Sequence, residues 1–186
     1  MSVTSPITPW PLTRLDGAFI TGWSGLEMAL DGGNAVVTDE TAVTGFFGDT
    51  PVVWEHPDVP YRQFVSLEIE VDSGVRFQLF GDDSIDGSSG LLLMEVVREP
   101  VRIPETVGEI YRTRTLGCLP TGTATLTVLG QSTTGAITDV ALNFEGQVLR
   151  LIAGEVHPRQ DGTFHIAIPD ESVLVQLNGA RPDPAS

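Results

Sequence analysis

The stretch Leu67-Glu68-Ile69-Glu70-Val71-Asp72-Ser73-Gly74-Val75-Arg76-Phe77-Gln78-Leu79 decides the fold. Apolar and polar side chains alternate on either side of a short polar break, so each flank presents one dry and one wet face, the period of a strand. A three-residue loop of Asp72, Ser73 and Gly74 pairs Val71 with Val75, Ile69 with Phe77 and Leu67 with Leu79. Every apolar group then shares a face, and Glu70 lies opposite Arg76 on the other. A two-residue loop sets Val71 against Arg76 and mixes the faces. Gly74 falls where the longer loop needs a left-handed residue. The segment is a β-hairpin.

Residues 26–37 and 140–151 show a similar pattern: alternating apolar residues, an acidic residue with glycine, then a second alternating run. Generic hairpin patterning accounts for the likeness, since the spacing of the three segments is too uneven for a solenoid or propeller. Residues 123–128 and 163–168 alternate as well, and turn residues recur about every 8 to 12 positions. No stretch carries a sustained 3.6-residue apolar period. Strands are expected at 18–21, 26–30, 35–38, 43–47, 64–71, 75–80, 91–98, 109–116, 123–129, 137–144, 147–153, 163–168 and 172–177. The fold class is all-β, an antiparallel sandwich or partly open barrel built from short hairpins with little or no helix. Residues 1–12, with Pro6, Pro9 and Pro11, read as an extended arm. Residues 13–178 read as a single β domain, or as two similar halves at 15–99 and 107–178, and residues 179–186 as a disordered tail.

Composition bounds the chemistry. The chain of 186 residues has 25 acidic and 10 basic side chains, a net charge of −15, and every basic residue is arginine. Without lysine there is no Walker-type phosphate lysine, no Schiff base and no lysine general base. The acidic surface repels phosphate backbones, which argues against nucleic acid, and attracts a basic protein or a cation. No apolar run is long enough to span a bilayer, and residues 1–17 lack the pattern of a secretory signal; the expected location is the cytoplasm. The single cysteine, Cys118, has no basic neighbour in sequence and reads as a packed structural thiol.

No motif assigns catalysis. Asp82-Asp83-Ser84-Ile85-Asp86-Gly87 matches the opening of a calcium loop, with Asp82, Ser84 and Asp86 as candidate ligands. Position twelve of that loop is Leu93, not a bidentate glutamate, so an acidic hairpin connection is the plainer reading and no cofactor is expected. His157 and His165 flank Asp161-Gly162; a two-residue loop there sends the two imidazoles to opposite faces and leaves them ordinary strand residues. Gly22-Trp23-Ser24-Gly25 lacks the second glycine of a nucleophile elbow. Residues 50–64 stand apart, rich in proline yet carrying Trp54, Glu55, His56, Asp58, Tyr61 and Arg62, as a binding loop or an aromatic plug for one end of the fold.

Two functions remain. The first is a non-catalytic interaction protein, immunity- or adaptor-like in the manner of small acidic bacterial proteins, whose acidic surface binds a basic protein. Asp39, Glu40, Asp82, Asp83 and Asp86 supply its charge, with Trp54 and Tyr61 as anchors. The alternative is a small-ligand or cation-binding β module, enzymatic or not, with its site near residues 50–64.

Overall fold

The hairpin forms in the expected register. β2 (Arg62–Val71) and β3 (Arg76–Asp82) pair Leu67 with Leu79, Ile69 with Phe77 and Glu70 with Arg76. Val71 N–H donates to Val75 O at 3.1 Å and Gly74 N–H to Val71 O at 2.9 Å, with Gly74 at a φ of +76°. The structure, a computed structural model, describes residues 11–31, 52–82, 89–96 and 110–183.

Among these, the remaining strands are β1 (Phe19–Met28), β4 (Gly90–Glu95), β5 (Tyr111–Thr115), β6 (Gly122–Thr123), β7 (Thr125–Gln131), β8 (Ile137–Phe144), β9 (Gln147–Ala153), β10 (Glu155–Pro158), β11 (Phe164–Ala167) and β12 (Val173–Leu177). A single 3-10 turn covers Leu12–Leu15. Ten strands join one curled antiparallel sheet, a half-barrel, in the order β4-β3-β2-β12-β9-β8-β7, with β1 on the far edge of β2 and β5 and β6 on β1. The sheet forks on β2. One edge of that strand takes β12 along 62–64 and β3 along 67–70, so two arms leave the same strand and β4 packs across onto β8.

Between the arms lies the main core, built from Trp23, Phe64, Leu67, Ile69, Leu79, Leu93, Leu142, Leu149, Leu151, Val173 and Val175. Full burial of such a side chain contributes about 1.5–3 kcal/mol, which offsets the ordering of a chain rich in long-range pairings. On the outer face of β9 and β12 a smaller cluster joins Ile152 and Leu174 to Leu30, Val59 and Val156, with Tyr61, Phe164 and Ile166 against it. The proline-rich segment and the separate β10–β11 hairpin therefore cover the back of the sheet, and the His56 ring sits 4.8 Å from that of Phe164.

Two sequence expectations change. The strands expected at 18–21 and 26–30 are the two ends of one continuous strand, β1, which runs from Phe19 to Met28. A register shift between Ile20 and Gly22 turns Trp23, Gly25 and Glu27 inward; Trp23 Nε1 donates to Pro120 O at 2.7 Å, and a Cβ on Gly25 would lie 2.8 Å from the Phe64 ring. The histidine register is also corrected. His157 pairs directly with His165, so both side chains leave the same face of the hairpin. Its loop has three residues, Gln160, Asp161 and Gly162, closed by Arg159 N–H to Thr163 O at 2.8 Å, with Gly162 at a φ of +80°. This is the same solution as Asp72-Ser73-Gly74, glycine occupying the third, left-handed position.

Asp161 Oδ1 accepts from Thr163 Oγ1 and from Thr163 N–H, at 2.6 and 3.0 Å. These bonds hold the carboxyl below its ordinary value of 3.8. A depressed folded value gives stability that is present above the unfolded value and lost as pH falls through the folded one. Asp161→Ala is therefore expected to lower the urea midpoint at neutral pH, and the gap from the native chain is expected to close as acidification carries the pH below the ordinary value of 3.8 and through the folded one. A gap independent of pH would mean that the carboxylate form is not what closes the loop.

Residues 179–183, grouped with the tail in the sequence reading, lie against the sheet: Leu177 bridges Ala180, and Pro182 O accepts from Arg62 Nε at 2.7 Å. Burial pushes the Cys118 thiol above its ordinary value. Among the described residues no helix is long and apolar enough to cross a membrane.

Candidate functional site

The fork borders a groove. Gly81, near the end of β3, faces the segment that leads into β12; a Cβ there would lie 2.4 Å from Asp170 O and 2.7 Å from Ser172 O. Only a glycine lets residues 170–172 reach this junction. Gly154 N–H then donates to Ser172 O at 2.9 Å, which ties the same segment to the point where β10 leaves β9.

On the outer face of β1 to β4 this arrangement leaves a groove of about 700 Å³. Leu26 and Met28 from β1, Val65 from β2, Phe80 from β3 and Met94 from β4 form its floor. Asp82, Glu155 and Glu171 supply carboxylates along it, and among the described residues no arginine lines it. Ser66, Gln78, Tyr111 and Ser172 also line it, so apolar and polar side chains share the groove.

Behind the rim, His157 lies between two carboxylates. Its Nε2 is 3.1 Å from Asp170 Oδ2 and its Nδ1 is 3.7 Å from Glu155 Oε1. Asp170 Oδ1 accepts from Glu171 N–H at 2.8 Å, and Glu155 Oε2 faces Ser172 Oγ at 3.5 Å. Burial pushes the Glu155 carboxyl above its ordinary value; His157 pulls it back, while Asp170 and Glu171 push it up again.

The opposite, inner face of β1 carries the reverse charge. Glu27 is 1% exposed, its Oε1 accepting from Arg62 Nη1 at 2.5 Å and its Oε2 from Arg112 Nε at 2.6 Å and Arg114 Nε at 3.3 Å. Arg62, 2% exposed, also holds Glu55 through Nη2. Arg181 donates to His56 O at 2.8 Å and pairs with Glu55 at 3.4 Å. The Arg112 guanidinium stacks 3.6 Å over the Trp54 ring. A crevice of about 460 Å³ runs between residues 55–60 and 179–183 over Arg62 and Arg181. Both guanidinium groups are already engaged by carboxylates and carbonyls, so the geometry is that of a brace clamping the proline-rich and C-terminal segments to the sheet.

Comparisons with family models, with curated proteins and with solved structures found no match. Function therefore rests on the residues alone.

Of the sequence candidates, Asp82 lines the groove. Trp54 belongs to the brace and Tyr61 packs against the smaller cluster, so neither lies at the groove. Asp39, Glu40, Asp83, Ser84 and Asp86 fall outside the described residues. Asp82 pairs with Gly90 across the β3–β4 hairpin, and Leu93, twelfth in the calcium-loop count, is fully buried opposite Leu79. A calcium ligand from that position is excluded by its burial and its chemistry. Glu155, Glu171 and Asp170 were missed, because nothing local marks them among so many acids.

Proposed function

We propose that this protein is a non-catalytic binding protein that takes a basic, partly apolar segment of a partner protein into the groove at the fork. The observation that supports this reading is the pairing of apolar side chains (Met28, Phe80, Met94) with the carboxylates of Asp82, Glu155 and Glu171 along one groove. Arginine and lysine side chains suit such a surface, their aliphatic stems lying on the floor and their charged heads reaching the rim. Methionine lets the floor adapt to the shape it meets. Carboxylates placed in this way favour fast, salt-sensitive association with a fixed register.

The test separates the groove from the general acidity of the chain. A short fluorescent peptide of alternating arginine and leucine is titrated by anisotropy into two double variants of equal net charge. Asp82→Asn with Glu171→Gln is expected to weaken binding about tenfold. Asp72→Asn with Glu145→Gln, both exposed and away from the groove, is expected to leave it nearly unchanged. Equal losses in the two pairs would show that diffuse charge, not the groove, attracts the peptide.

A further inference from the structure

We propose that Glu155, His157 and Asp170 hold one first-row divalent transition-metal ion beside the groove. Each offers one donor atom, and the three donors lie within 4.8 Å of one another. The 3.1 Å between His157 Nε2 and Asp170 Oδ2 matches two donors that share an ion at about 2.1 Å each. Glu155 Oε1 lies 3.7 Å from the other ring nitrogen, Nδ1, so this carboxylate has to turn toward the Nε2 side of the ring to complete the set.

Three further features favour an ion. The second oxygen of Asp170 is taken by Glu171 N–H and that of Glu155 faces Ser172 Oγ, so outer partners orient both carboxylates with their remaining oxygens toward the ring. Glu155 and Asp170 are both half-buried and flank one imidazole, and a divalent cation offsets two carboxylates held this close. One nitrogen with two carboxylates selects Zn²⁺, Co²⁺, Fe²⁺ or Mn²⁺ over Ca²⁺, which takes six to eight oxygens. Three protein donors leave positions for water, and Glu155 also lines the groove, so the ion borders the space a partner occupies without depending on one.

The competing arrangement is a protonated His157 that bridges the two carboxylates as an ion pair, with no affinity for metal. Full-length protein stripped with chelator is titrated with Co²⁺ by calorimetry and visible absorption, and with Ca²⁺ in parallel. The expected result is one equivalent of Co²⁺ with a visible ligand-field band, displaced by Zn²⁺. His157→Gln is expected to weaken this at least tenfold, whereas His165→Gln, across the hairpin but outside the cluster, retains it. Asp170→Asn repeats the test if His157→Gln fails to fold by circular dichroism. The proposal is overturned if no stoichiometric Co²⁺ site appears, if the variants bind like the native chain, or if Ca²⁺ binds as tightly as Co²⁺.

Discussion

Glu27→Ala is expected to destabilise the fold by about 3–5 kcal/mol, measured as the loss in urea-unfolding free energy. The carboxylate is the shared acceptor of Arg62 and Arg112, which are 2% and 5% exposed. Removing it takes the shared carboxylate from two buried guanidinium groups, of which Arg62 keeps only the half-exposed Glu55, a larger penalty than the net worth of the ion pairs themselves. The effect is expected to spread along Arg62 to the segments it holds, through Glu55 and Pro182 O. Amide exchange in residues 52–60 and 179–183 should therefore accelerate in the variant well below the unfolding transition. A loss under about 1 kcal/mol would contradict the brace, because it would mean that both arginines reach water once Glu27 is gone.

Gly81→Ala is expected to cost about 1–3 kcal/mol or more, although it adds a single methyl group. Its Cβ would meet backbone, at 2.4 Å from Asp170 O and 2.7 Å from Glu171 C, so no side chain can swing aside and residues 170–172 must shift. The control is Gly117→Ala, where the added Cβ finds nothing within 4 Å. There the change is expected to be neutral or stabilising by about 0.5 kcal/mol through the unfolded chain. Because Asp170 and Glu171 ride on the displaced segment, Gly81→Ala is also expected to weaken both peptide and Co²⁺ binding. Unaltered stability in Gly81→Ala would mean that the fork is slack.

The hairpins were legible in the sequence wherever the inward positions are apolar, as at Leu67, Ile69, Phe77 and Leu79. β1 was not, because its inward row runs Trp23, Gly25, Glu27, and a glycine and a carboxylate break the binary pattern that sequence reading relies on. A signal for Glu27 existed in Arg112 and Arg114, two like charges on one face of a strand, which call for a buried acid. The groove had a signal too. The unbroken run Leu91-Leu92-Leu93-Met94 makes both faces of β4 apolar, so its outer face had to serve something other than solvent. Placement of His157 failed on loop length: Gln160-Asp161-Gly162 was read as a two-residue turn, although Asp72-Ser73-Gly74 already showed glycine in third place. Asp170 and Glu171 were not recoverable locally, since their position depends on the distant contact with Gly81.

Amide chemical-shift mapping reads directly whether a basic segment lies in the groove at the fork. ¹⁵N-labelled protein is titrated with the arginine–leucine peptide at moderate salt. The shifts are expected to concentrate on Leu26, Met28, Val65, Phe80, Met94 and Glu171. Shifts spread over exposed acids such as Asp72 and Glu145, or centred on residues 55–60 and 179–183, would contradict it.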